Sequence, residues 1–148
     1  MEEARAVKEQ GVMQIALISH DSRKELMLQF CAAYSSVLRD HRLFSTMFTS
    51  KMLIAKTKLK VQSFLSSLDG GVQQIAARVA CNEIDLLIYF RNPNERTSSE
   101  GAEQELFRLC DVYSIPYATN IATAEVLIQG LRRGDFAWRN LLRADKNL

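Results

Sequence analysis

The sequence predicts an α/β domain: a doubly wound, mainly parallel five-stranded sheet with helices on both faces. Three observations predict it. Short apolar runs, led by Val12-Met13-Gln14-Ile15-Ala16-Leu17-Ile18 and Ile84-Asp85-Leu86-Leu87-Ile88-Tyr89-Phe90, recur along the chain with little alternation, as in strands buried on both faces. The segments between them carry apolar residues at helical spacing. Strand and helix alternate, which implies right-handed crossovers and parallel neighbours. A chain of 148 residues suits one such domain, with about 68–70% of the unfolded surface buried on folding.

Residues 1–11 are charged and end at Gly11, and read as an N-terminal arm or short helix ahead of a single domain over 12–148. The first strand runs to Ile18. Asp21 or Ser22 then caps a helix in which Leu26, Phe30, Ala33, Tyr34 and Val37 share a face, up to about Asp40. Residues 43–46 read as a second strand, 49–58 as a short helix and loop, and 61–65 as a short third strand. Gly70-Gly71 opens a helix with Ile75, Ala76, Val79 and Ala80 on one face. Residues 84–90 are the strongest strand. A polar loop over 91–101 follows, with Pro93 barring helix at its start. Residues 102–113 form a helix through Leu106, Leu109, Cys110 and Tyr113. Residues 116–119 are the last short strand, and 123–131 a helix ended by Gly130 or Gly134. The tail over 136–142 reads as an amphipathic helix. Its arginines, Arg132, Arg133, Arg139 and Arg143, fit packing on the domain or on a sister subunit better than a nucleic-acid surface.

Composition narrows the function. Apolar residues make up 47% and charged residues 24%, ordinary for a globular protein. The net charge of +2, from 19 basic and 17 acidic residues, is too small to argue for nucleic acid or an anionic membrane. Cys31, Cys81 and Cys110 match no zinc spacing and read as buried structural thiols. The chain starts Met1-Glu2-Glu3 without a basic-then-apolar leader, so a cytoplasmic location is expected, with no metal and no cofactor. His41, at a helix end, reads as a solvated residue.

In doubly wound sheets ligands bind past the carboxyl ends of the strands. The loops there hold Ser19-His20-Asp21, residues 46–50, 66–72 and 91–101, and Thr119-Asn120. Hydroxyls, glycines and helix N-termini are what a phosphate needs, and Lys24 lies one turn into the first helix. A small anionic ligand fits this set; polar turns alone also fit it.

Four strings in order sharpen the reading: Ile15-Ala16-Leu17-Ile18-Ser19-His20-Asp21, Gly70-Gly71-Val72-Gln73-Gln74, Ile84-Asp85-Leu86-Leu87-Ile88, and Ile115-Pro116-Tyr117-Ala118-Thr119-Asn120-Ile121-Ala122-Thr123-Ala124. Together they resemble the methylglyoxal synthase family over about residues 13–130. Members of that family convert dihydroxyacetone phosphate to methylglyoxal and phosphate: a carboxylate takes a carbon-bound proton, an enediolate forms, and phosphate leaves. The resemblance implies that His20 polarises the carbonyl and that Lys24 contacts phosphate. It places the phosphate loop on Thr46-Met47-Phe48-Thr49-Ser50, with a further contact pair at Ser66-Ser67. It places the family's Gly-Gly-Asp base at Val72, beside Gly70 and Gly71. Family carboxylates fall on Asn92, next to Arg91, and on Ala102, and a family histidine falls on Ser99. It also implies a homo-oligomer, a hexamer as in other members.

Valine accepts no proton. The expectation is therefore a non-catalytic relative that binds or sequesters a phosphorylated small molecule or nucleotide, with Phe48 offering a stacking surface for a larger, flatter ligand and Arg91 offering charge. The alternatives are an active methylglyoxal synthase with a replacement base, for which Asp69 is the nearest carboxylate, and an oligomeric scaffold without ligand. Arg96 adds charge to the 91–101 loop; Glu95 and Glu100 read as solvated.

Overall fold

The computed structural model describes residues 2–94 and 100–146. Five strands form one sheet in the order β3-β2-β1-β4-β5, every neighbouring pair parallel. The strands are β1 (Gln14–Ser19), β2 (Arg42–Ser45), β3 (Val61–Ser63), β4 (Leu86–Phe90) and β5 (Tyr117–Ala118). The helices are α1 (Glu2–Gln10), α2 (Lys24–Ala33), α3 (Ser35–Leu38), α4 (Met47–Thr57), α5 (Gly71–Ala80), α6 (Glu100–Val112), α7 (Ile121–Arg133) and α8 (Trp138–Lys146). The chain steps outward from β1 through β2 to β3, then returns to the far side of β1 for β4 and β5. The direction reverses between β1 and β4, so a crevice opens beyond Ser19 and Phe90, the last paired residues of those strands.

Alternate residues of β1 feed two cores. Ile15 and Leu17 pack with Met27 and Phe30 of α2, Leu53 of α4, and Ile128 and Leu131 of α7. Ala16 and Ile18 pack with Val72, Ile75 and Val79 of α5, and with Leu106 and Cys110 of α6. This burial on both sides explains the uninterrupted apolar runs, since a strand between two helix layers has no wet face.

The long helix expected over 21–40 is broken. A 3₁₀ turn over Asp21–Arg23 precedes α2, and Tyr34, with φ −111°, separates α2 from α3. Gly130 lies inside α7 rather than ending it; Gly134 caps the helix with φ +87°. An added Cβ at Gly134 would lie 2.4 Å from the Ala6 backbone, so the helix end packs closely on α1. Gln10 completes that docking: its side chain donates to the Leu131 carbonyl at 3.0 Å and accepts from the Phe136 N–H at 2.9 Å.

Two side chains depart from their expected settings, and a third, Arg139, is buried more deeply than any other charged group among the described residues of the tail. His41 is half-buried, and its Nδ1 accepts the Met13 N–H at 2.9 Å. Burial holds its imidazole below the ordinary value despite the opposing charge of Asp40. Cys81 is exposed, while Cys31 and Cys110 are buried and burial pushes both thiols up to about 12. Arg139, on the arginine-rich tail, is wholly buried within the domain. Its guanidinium pairs with Asp85 at 3.2 Å and donates to Asn82 Oδ1 at 2.6 Å and to the carbonyls of Tyr113 and Ile84 at 3.1 Å each. Among the described residues no helix is long and apolar enough to cross a membrane.

Candidate active site

The crevice at the β1/β4 switch point encloses about 180 Å³. Five segments line it: Ser19 to Asp21 after β1 with Lys24 of α2, Thr46, Phe48 and Thr49 after β2, Ser66 to Leu68 before α5, Tyr89 of β4, and Glu103 of α6. A wider concavity, about 550 Å³, lies elsewhere, past the start of β2 among Arg39, Arg42, Lys58 and Lys60, and holds none of the expected site residues.

His20 is fixed from two sides. Its backbone N–H donates to the Phe90 carbonyl at 2.9 Å, extending the β1–β4 ladder by one step. Its Nδ1 accepts the Ser22 N–H at 3.1 Å and sits 2.8 Å from Ser22 Oγ. A ring whose Nδ1 accepts carries its proton on Nε2 when neutral, which leaves an N–H donor. Lys24 pairs with Asp21 at 2.9 Å and stands 5.3 Å from the centre of the Phe48 ring. The Lys24 hydrogen bond and charge hold the Asp21 carboxyl below its usual range, so Asp21 serves as an anion steadying the ammonium, not as a base.

The hydroxyls come from tight local geometry. Thr46 is the extended residue that starts α4, and Thr49 Oγ1 lies 3.3 Å from Ser19 Oγ. Ser66 Oγ donates to Asp69 at 2.8 Å, and the Ser66 carbonyl accepts the N–H groups of Asp69 and Gly71 at 3.0 and 2.9 Å. The turn is folded so closely that a Cβ on Gly71 would stand 1.9 Å from the Leu65 carbonyl oxygen; Gly70, at φ +107°, supplies the left-handed step before it.

The crevice thus brings together His20, Lys24, Thr46, Phe48, Thr49, Ser66 and Ser67. Met47, Gly70 and Gly71 shape the backbone around it without lining it. Val72 is 0% exposed and faces the α5–α6 core. Arg91 lines a neighbouring cavity of about 480 Å³ with Arg23, Thr119 and Asn120, and its guanidinium lies 5.7 Å from the Phe107 ring. Asn92 turns back on its own loop, accepting the Asn94 N–H at 3.0 Å. Ser99, Glu95 and Arg96 lie outside the described residues. Phe48 is 55% exposed, but the Lys24 ammonium occupies a position over its ring.

Two lining residues escape a loop-based reading. Tyr89 is the next-to-last residue of β4, and its hydroxyl donates to Glu103 Oε1 at 2.8 Å. Burial, and then the Glu103 carboxylate, push the Tyr89 phenol well above its usual value, so it remains a neutral donor. Glu103 is 9% exposed, on the same stripe of α6 as Leu106 and Cys110. An acid on the buried stripe of a helix is the sequence signal that could have found it, because carboxylates are rarely placed there without a partner.

Comparison with known proteins agrees with the fold. Residues 26–119 match the family of MGS-like domains. The methylglyoxal synthase of a Geobacillus species is 49% identical over 134 residues, which cover 90% of this chain and 96% of that protein. The methylglyoxal synthase of Listeria welshimeri is 48% identical, also over 134 residues, covering 90% of this chain and 100% of that protein. The crystal structure of methylglyoxal synthase from Elizabethkingia anophelis superposes with a TM-score of 0.72 at 28% identity, covering 79% of this chain and 77% of that one.

These relatives overturn the expectation of a non-catalytic binding protein. Full-length relatives at nearly half identity carry the name of a synthase. That expectation rested on Val72, which accepts no proton, but a buried carboxylate, Glu103, lines the crevice.

Proposed function

Because the chain belongs to the MGS-like domain family, we propose that it is a working carbon–oxygen lyase of the methylglyoxal synthase type, taking dihydroxyacetone phosphate to methylglyoxal and phosphate. The observation that carries this reading is the size and lining of the crevice. Pockets for drug-sized ligands run about 300–1,000 Å³, whereas this one holds about 180 Å³. That volume suits a triose phosphate better than a nucleotide, and Lys24 over Phe48 competes with any stacked base.

The lining divides by chemistry. The Lys24 ammonium and the hydroxyls of Thr46, Thr49, Ser66 and Ser67 supply positive charge and hydrogen bonds for a phosphate. The Nε2–H of His20 serves as the donor for the carbonyl oxygen, whose charge grows as the carbon-bound proton leaves. Self-association into a hexamer is part of the same proposal, as is a cytoplasmic location.

The test is the reaction itself, run with purified protein and dihydroxyacetone phosphate. Methylglyoxal appears well above the buffer rate, and His20→Ala lowers kcat by about 10²-fold or more through the lost oxygen contact. Turnover by wild type with His20→Ala equal to it would remove His20 from this role. Substrate bound without turnover would refute the lyase assignment.

A further inference from the structure

A lyase of this kind needs a proton acceptor, and the position beside Gly70-Gly71 does not supply one: Val72 is fully buried in the apolar core. We propose that Glu103 is the catalytic base of this chain, a role that rests on the lyase reading above and gives that site its missing group. Three carboxylates lie in or next to the crevice. Asp21 is committed to Lys24 at 2.9 Å and is largely solvent-exposed. Asp69 is exposed, lies outside the lining and accepts the Ser66 hydroxyl at 2.8 Å. Glu103 is buried and lines the same crevice as His20.

Its two oxygens differ. Oε1 accepts the Tyr89 hydroxyl at 2.8 Å, which fixes the carboxylate plane. Among the described residues Oε2 makes no hydrogen bond, and it is not a closed-off orphan: Ser50 Oγ is the only buried side-chain atom there without a partner. Glu103 lines the crevice, and with Oε1 held by Tyr89 the second oxygen is the one left to meet a substrate carbon. Tyr89 is the positioning residue and Glu103 the acceptor.

The step balances without a further reactant. Glu103 takes a proton from the hydroxymethyl carbon. The C–H electron pair becomes the enediolate double bond, and the negative charge moves to the carbonyl oxygen facing His20. The C–O bond to phosphate then breaks and its electron pair leaves with the phosphate, which also carries away the hydroxyl proton. Glu103 returns its proton to the terminal methylene, and the enol becomes the methyl ketone of methylglyoxal. No water is consumed and no redox partner is needed.

Glu103→Gln keeps the shape and the Tyr89 contact while removing the acceptor. Its kcat is expected to fall by about 10²–10⁴-fold, the span of general acid–base help, with KM within a few-fold of wild type. Exchange of the substrate hydroxymethyl protons with D2O, followed by proton NMR, falls in step. Asp69→Asn, the rival, keeps kcat within about 5-fold. Should Glu103→Gln fail to fold in a thermal melt, Tyr89→Phe answers the question. Losing a donor to the charged carboxylate moves the acidic limb of the kcat–pH profile upward. Glu103→Gln at wild-type rate, an unmoved limb in Tyr89→Phe, or collapse in Asp69→Asn alone would each overturn the assignment while wild-type turnover left the lyase reading standing. A wild-type protein that makes no methylglyoxal would remove both.

Discussion

Replacing Arg139 by methionine takes a guanidinium out of a site with no solvent access and leaves its partner Asp85 buried. Asp85 then keeps the Gln14 N–H, at 2.8 Å, but loses the cation. Asn82, Ile84 and Tyr113 lose the donors that joined the ends of α5, β4 and α6 to α8. Breaking one side of a buried ion pair costs about 3–5 kcal/mol, because the remaining charge stays desolvated. For a chain of 148 residues, at roughly 2–4 °C per kcal/mol, the melting temperature should fall by about 12 °C. Circular dichroism melts of wild type, Arg139→Met, Asp85→Asn and the double variant measure it. The double variant should lose clearly less than the two single losses added together, since the second change removes the stranded charge. Arg139→Met melting within about 2 °C of wild type, or strict additivity, would refute the reasoning.

Acid should weaken the fold through His41. Its folded-state value lies below the unfolded one of about 6.5, so the unfolded chain binds the proton first and stability is lost as pH falls below that point, by at most about 1.4 kcal/mol per unit. His41→Asn, whose side-chain oxygen also accepts the Met13 N–H, should flatten urea midpoints between pH 7 and 5; an unchanged slope would remove His41 as the cause. Gly71→Ala should destabilise by more than about 1 kcal/mol, because the new Cβ meets the Leu65 carbonyl backbone, and a denaturant midpoint equal to wild type would contradict that contact.

The architecture was legible because its signals are local. Residues 15–18 and 86–90 are apolar on both faces, as a short strand between two helix layers requires. The crevice rule then pointed to loops that do converge, with His20, Lys24, Thr46, Ser66 and Ser67 in one lining. Glu103 was hidden because its role depends on Tyr89, fourteen residues earlier on a different element. A reading confined to loops passes over a helix position. Val72 showed the opposite hazard: one non-acidic residue in a matched string pointed to lost chemistry, although the crevice carries a carboxylate on α6. His41 looked solvated because it pairs with a group distant in sequence, the Met13 N–H. The break at Tyr34 has no proline or glycine to announce it.

Phosphorus and proton NMR of dihydroxyacetone phosphate incubated with the wild-type protein tests the central claim most directly. The account predicts equal amounts of inorganic phosphate and methylglyoxal, growing together at a rate that scales with protein and depends on Glu103. Substrate signals that broaden on binding yet never convert, with no phosphate released, would contradict it.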